Sequence, residues 1–387
     1  MKNVRYIKVV LSSLGVTVAT AAWPQTSPAP TILYGTTISM LPTNEFAVAT
    51  TVPTPQSPRA QYVVVAEANV DQDLEVLAWQ DTTSSLEKLS RHGIAEDQGV
   101  VSVAATGLDS NRVVTADINN EGVLSIQTWA VGTGGVVSQR VYRTVAATAS
   151  KDVEIATVSS SEVVTAYETT EGSLVVEAWT ISESGLTAPM AVVGKLPNVV
   201  EASIAVIDSG QVVTAAADTK AGLWVNTWEI DSDGVKPLDQ METQNAVNAF
   251  CYAAPRSQTV AVGAGQSFEP TPPYESVAAA FTPVLTPNCI PQIYYWGVSA
   301  SGVLTLQSTA SPQHSTIDAG VAASMLPRNI PITTISGGTG DNHISIQQYL
   351  NSSYATYGDP YDVVNIASTT EGTDFINVLS YPEAPIL

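Results

Sequence analysis

Apolar residues in this chain come in short runs separated by polar, glycine-containing steps, and the runs recur at a fixed spacing. Val113-Val114-Thr115-Ala116 is followed by Trp129, Val163-Val164-Thr165-Ala166 by Trp179, and Val212-Val213-Thr214-Ala215 by Trp228, each Trp sixteen residues after the first Val. An earlier copy, Val63-Val64-Val65-Ala66, leads to Trp79 at the same distance. Between the two anchors lie Asn119-Asn120-Glu121-Gly122, Thr169-Thr170-Glu171-Gly172 and Thr219-Lys220-Ala221-Gly222. Gly and Asn tolerate positive φ, so each of these steps predicts a hairpin turn between two strands. Six residues beyond the Trp comes another Gly, at 135, 185, 234 and 302, followed in most copies by a further strand-forming stretch. Runs such as Val153 to Val158 and Ala202 to Ile207 add a strand ahead of the Val-Val pair.

Each unit therefore holds four strands. The aromatic anchors are Trp79, Trp129, Trp179, Trp228, Trp296 and Tyr349, with steps of 50, 50, 49, 68 and 53 residues. A four-stranded unit repeating near fifty residues predicts an all-β propeller and excludes helical solenoids, whose pattern would show a 3.6-residue period. Leu174-Val175-Val176-Glu177-Ala178-Trp179 carries apolar residues on both faces, as expected of a sheet packed between neighbours. The recurring Trp is accordingly read as inter-blade packing and not as a ligand platform.

Six anchors predict six blades, yet strand-like runs remain at both ends, from Ile32 to Leu41, Phe46 to Val52 and Asp374 to Ser380. A ring removes long edges only if its ends meet, so these runs are expected to share a closing blade. Seven blades, one of them assembled from both ends of the chain, is the alternative. Residues 23–387 are read as one domain, with a proline-rich loop insertion at about 264–290 and a smaller one at Pro53-Thr54-Pro55-Gln56-Ser57-Pro58. Proline cannot donate to a ladder, and long loops on a rigid scaffold are where binding resides. Over most of residues 31–387 the chain resembles secreted β-propeller repeat proteins, on the Val-Val-Thr-Ala to Trp unit. No WD, kelch or Asp-box signature accompanies that unit, so the resemblance assigns no functional residue.

Hydrophobic residues make up 44% of the chain and charged residues 13%, enough apolar material for a core and too much for a disordered chain. Lys2, Arg5 and Lys8 precede an apolar run from Val9 to Ala22 that ends in small residues. That order predicts a secretory signal over residues 1–22, cleaved near Ala21 or Ala22. The run falls short of the ~20 residues a spanning helix needs, and no other segment reaches that length. The formal charge of −21 becomes −24 once three basic residues leave with the signal. Such a surface repels phosphate backbones, so nucleic acid is excluded as a partner, and the charge is read as solubility outside the cell. A secreted or periplasmic monomer is expected, with an extracellular or envelope protein or glycan as partner.

Candidate chemistry is sparse. His92, His314 and His343 show no metal-binding spacing, and no cofactor or metal is expected. Gly297-Val298-Ser299-Ala300-Ser301-Gly302 misses the nucleophile-elbow pattern by one position. Asp231-Ser232-Asp233-Gly234 and Asp71-Gln72-Asp73 have the beginnings of calcium loops, but equivalent copies read as plain turns. Catalytic residues are not assigned. A non-enzymatic binding protein is the first reading. An extracellular carbohydrate-active hydrolase or lyase using carboxylates gathered at the ring axis is the second. Cys251 and Cys289 are the two cysteines, and in an oxidising compartment they are expected to form a disulfide closing a loop of about 38 residues. Alkylation of the purified protein without reductant should leave its intact mass unchanged; two added labels would show free thiols.

Overall fold

The computed structural model describes residues 6–13, 31–39, 46–52, 62–69, 71–81, 86–90, 93–95, 99–144, 149–184, 187–189, 194–197, 199–208, 210–218, 222–243, 260–266, 276–283, 291–310, 321–326, 330–336, 344–348, 363–369 and 376–380. Within them the regular structure is entirely β, and no helix is long and apolar enough to cross a membrane. Cys251, Cys289, Tyr349 and the three histidines lie outside the described residues.

The second sheet shows the unit most fully. Val100–Gly107, Arg112–Asn119, Leu124–Gly132 and Gly135–Thr144 run as an antiparallel meander in which each strand pairs with the next. The turn after the second strand is held by Asn119, whose Oδ1 accepts from Glu121 N at 3.0 Å and Val123 N at 2.9 Å, and Gly122 there takes φ +77°. The first sheet makes the same turn with Asn69, and Gln72 takes φ +63° without the freedom of a glycine.

The described strands fall into seven antiparallel sheets of three to five strands. Their first strands are Phe46–Thr50, Val100–Gly107, Ala149–Ser159, Val199–Asp208, Ala261–Gln266, Val321–Leu326 and Ile376–Ser380. Each lies against the first strand of the next sheet, and Ile376–Ser380 lies against Phe46–Thr50, so the succession closes into a β-propeller. The closing sheet is composite, ordered Thr31–Ser39, Tyr6–Ser13, Val363–Thr369, Ile376–Ser380. The aromatic anchors number one fewer than the sheets because the third strand of the closing sheet, Tyr6–Ser13, carries no Trp. That strand pairs antiparallel with both of its neighbours and coincides with part of the segment read as an export signal.

The proline-rich stretch at 264–290 is not one loop. Ser276–Pro283 is the second strand of the fifth sheet, paired with Ala261–Gln266 and Pro291–Val298. Its interior, Val277 to Thr282, is free of proline, and Pro283 stands at the strand end, where a missing N–H costs the ladder least.

The indoles bind one sheet to the next. Trp129 of the second sheet packs among Val64, Ala66 and Val76 of the first; Trp179 of the third among Ala104, Ile118 and Ile126 of the second. Trp228 and Trp296 repeat the arrangement one and two sheets further on, and all four are at most 2% exposed. Contact is close enough that a Cβ on Gly93, in the outer strand of the first sheet, would fall 2.2 Å from the Trp129 ring. Each indole also has a fixed polar partner. Trp129, Trp179 and Trp228 donate through Nε1 to Thr115, Thr165 and Thr214 Oγ1, 2.9 Å in every case. The acceptor is the Thr of the Val-Val-Thr-Ala run, two residues along from the Val that faces the Trp across the ladder. In the fifth sheet Trp296 faces Ala278, the corresponding residue is Ala280, and the buried Nε1 of Trp296 has no acceptor.

Thr214→Val keeps the shape and leaves the Trp228 N–H buried without its acceptor, so a loss of about 1–3 kcal/mol is expected by urea denaturation. Ala280→Thr supplies the missing acceptor and should raise the midpoint instead.

Candidate functional site

The first strand of each sheet has a free edge toward the ring axis, and its outward N–H groups need acceptors. Side chains of the preceding sheet provide them. Ser102 Oγ accepts from Val153 N at 3.1 Å, Ser203 Oγ from Val262 N at 3.3 Å, and Glu201 Oε1 from Val260 N at 2.9 Å. Thr157 adds a bond of the opposite sense, donating to Gly107 O at 2.6 Å. The spacing here is tight: a Cβ on Gly107 would meet the Thr50 carbonyl oxygen at 1.9 Å.

The ladder register makes these positions comparable. Ala105, Ile155 and Ile204 lie opposite Thr115, Thr165 and Thr214. Three residues earlier stand Ser102, Asp152 and Glu201; one residue earlier stand Ala104, Glu154 and Ser203. Ser102 and Glu201 therefore do the same work in sheets two and four. Glu154 occupies in sheet three the place from which Ser203 accepts a backbone N–H in sheet four.

Asp152, Glu154 and Glu201 consequently share one region between the third and fourth sheets, the densest set of carboxylates along the described inner strands. Burial, reinforced by the charges of Asp152 and Glu201, pushes the Glu154 carboxyl up to about 8. A second raised carboxyl is Glu67 in the first sheet, which faces Glu75 across the ladder. Burial is again the main cause, the Glu75 charge adds to it and Lys88 opposes it, giving about 8. Glu67 Oε2 is buried without a hydrogen-bond partner. Both groups are protonated at neutral pH.

The other carboxylates singled out from sequence are turn residues. Asp231 Oδ1 accepts from Asp233 N at 2.8 Å, while Lys236 Nζ bonds Asp231 Oδ2 at 2.5 Å and Asp233 Oδ2 at 3.4 Å. That hydrogen bond from Lys236 is the leading reason the Asp231 carboxyl sits below its usual range. A lysine already occupies the place a cation would take. Asp71 and Asp73 donate backbone N–H groups to Asn69 Oδ1 in a turn. Among the described residues no group of three or more His, Cys, Asp or Glu could hold a metal ion. Gly297 to Gly302 spans the end of a strand and the turn into the next, and Ser299 Oγ accepts from Val303 N at 3.0 Å.

Of the anchors, Trp79, Trp129, Trp179, Trp228 and Trp296 are all at most 2% exposed and offer no ligand a stacking face. Lys88 Nζ lies 5.9 Å from the Trp79 ring centre. The axial acceptors escaped sequence reading because they share no residue type: Ser102 and Glu201 stand at one structural place in sheets two and four. The only available signal was a polar residue inside an otherwise apolar first strand.

No protein-family model matches this chain, and no curated protein matches it. Among solved structures it is similar to a Bacteroides fragilis protein provisionally named a 6-phosphogluconolactonase, at 9% identity and TM-score 0.50, over 88% of this chain and 93% of the other. It is also similar to AofleA from Arthrobotrys oligospora, at 12% identity and TM-score 0.47 over 85% and 90%. A fucose-specific lectin from Aleuria aurantia gives 10% identity and TM-score 0.47 over 86% and 96%. At these identities the likeness concerns the fold.

The raised carboxyls set the sign of a pH effect. Between about 4.5 and about 8 the folded chain keeps protons on Glu67 and Glu154 that the unfolded chain has released, so stability falls as pH rises through that window. Urea midpoints should decline from pH 5 to pH 8, and the double variant Glu67→Gln, Glu154→Gln should flatten the decline. An unchanged slope in that variant would show that neither group is perturbed.

Proposed function

We propose that this chain is an exported, non-enzymatic binding protein whose rigid ring presents turns and inter-strand connections to an extracellular or envelope protein or glycan. One observation carries the preference for binding over catalysis: Glu201, at the axis, has an oxygen committed to Val260 N at 2.9 Å. A carboxylate is an acceptor with several lone-pair sites, and here it completes the edge of the neighbouring sheet. The same role accounts for polar residues at the equivalent places in other sheets without invoking a reaction. Function then falls to the turns and inter-strand connections that the ring presents.

A second reading has its own support. A carboxyl near 8, protonated at neutral pH beside two other carboxyl groups, is suited to a general acid in glycoside hydrolysis. In that reading Glu154 is the acid, with Asp152 and Glu201 as the neighbouring pair.

The two readings separate in one set of experiments on the protein recovered from its own host. Glycan-array and pull-down screening should retain a glycan or a protein, polysaccharides should stay intact in a reducing-end assay, and Glu154→Gln should leave retention unchanged. Cleavage of a polysaccharide that is lost in Glu154→Gln would replace the binding reading with the enzymatic one. Export is read from the first residue of the recovered protein: a start just after Ala21 or Ala22 supports it, and retention of Tyr6–Ser13, which pairs with Val363–Thr369, counts against it.

A further inference from the structure

The chain has seven tryptophans, and five follow the repeat. Trp224, in the third strand of the fourth sheet (Leu223–Asp231), does not. Its register position, opposite Ala216, corresponds to Glu75, Ser125 and Val175 in sheets one to three. None of these is aromatic, so the propeller does not require an indole there. Nor is Trp224 a core residue: it is half-buried, with part of the ring packed on the cluster of Val164, Val176 and Trp228 between sheets three and four. Its Nε1 donates to Asp218 Oδ2 at 2.9 Å, and Asp218 Oδ1 in turn accepts from Gly222 N at 2.7 Å. The indole is thus held at its polar edge by a buried turn residue and supported by the core, while part of it meets solvent.

Resting on the binding reading above and narrowing it to one ligand class, we propose that Trp224 is the stacking platform of a neutral-glycan site at the mouth of the cleft between the third and fourth sheets. The part of the indole that meets solvent offers an apolar surface of the kind that packs on the C–H face of a pyranose ring. The acceptors a sugar needs stand around it. Glu242, exposed, faces Trp224 directly across the ladder on the same side of the sheet. Glu168 lies on the face of the third sheet turned toward the fourth, two residues beyond Ala166, which packs in the shared cluster. These carboxylates accept from hydroxyl groups and repel phosphorylated or acidic sugars, which selects neutral ones. A protein partner is the less suitable occupant. A stable protein interface needs roughly 800 Å² on each side with an apolar centre. The exposed large apolar residues among those described are Val52, Val303 and Leu306, in other sheets.

The test uses the purified protein carrying ¹⁵N-labelled tryptophan, screened on an array of neutral glucose-, galactose- and mannose-based oligosaccharides and titrated with the best of them. The Trp224 indole resonance is the one missing from the Trp224→Phe spectrum. It should shift on titration while the buried anchors do not. Trp224→Ala should weaken binding at least about tenfold and Trp224→Phe by less than about threefold, since a smaller ring still stacks. If Trp224→Ala does not fold, the resonance shift and Trp224→Phe decide the matter. Binding that leaves Trp224 unshifted overturns this site while the glycan-binding reading stands. An array with no binder, beside capture of a protein, overturns the site and keeps the broader binding reading.

Discussion

The structure depends on one contact, an indole wedged between consecutive sheets. The wedge explains the constant spacing seen along the chain. The Trp lies near the end of the third strand and its Thr acceptor in the second, so the number of residues between them is set by two strand halves and one short turn. Magnitudes rank the two parts of the contact. Burying an indole removes on the order of 200 Å² from water, about 5 kcal/mol at 25 cal/mol per Å². The hydrogen bond adds about 1 kcal/mol net. The ranking agrees with the sheets themselves: Trp296 keeps its burial where the Thr is replaced by Ala280 and its N–H goes unpartnered, and Trp79 stays buried where the run carries Val65. Packing defines the ring; the hydrogen bond sets the angle of the ring plane within it.

The same geometry imposes a second requirement at the axis. Wedging the sheets apart at the Trp leaves their first strands side by side without a backbone ladder between them, and their outward N–H groups take acceptors from side chains. Ser and Glu both qualify, and the chain uses both, at Ser102, Ser203 and Glu201. A glutamate supplies more acceptor capacity but carries a charge into a poorly hydrated place. With Glu201 in sheet four and Asp152 in sheet three, Glu154 can remain there only by holding its proton. A raised carboxyl at the centre of a propeller is thus a consequence of how its inner edges are completed, before any catalytic role is considered.

These causes decide what could be read from the sequence. Four-stranded units and their ring closure were legible because the wedge needs the largest apolar side chain at one place in every copy. The Thr was visible as a repeated letter but not as the partner of the Trp, since that bond crosses two strands and depends on their register. The composite closing sheet was legible only in part: the runs Ile32 to Leu41 and Asp374 to Ser380 were left over, whereas Tyr6–Ser13 reads as part of an export signal and its partner Val363–Thr369 lies at the other end of the sequence and shares no motif with it. Within 264–290 the prolines around Ser276–Pro283 hid a strand whose own interior is regular. Asp231 and Asp233 had the look of metal ligands until their own lysine, five and three residues on, was seen to close over them. Trp224 lay in plain view in a strand already assigned, and its register position and partial burial set it apart from the anchors.

The acidity of the chain bears on what such a ring can hold. A formal charge of −21 creates a field that disfavours anionic partners at any approach shorter than a Debye length, about 8 Å at physiological salt. Cationic partners would be drawn to such a surface by charge alone. Selectivity must then come from a feature that charge does not average out. An oriented, partly buried aromatic surface is such a feature: it would bind through shape and apolar contact, both insensitive to the surrounding field, with nearby carboxylates as acceptors. On this scaffold an uncharged ligand with one apolar face and several hydroxyl donors meets the least opposition.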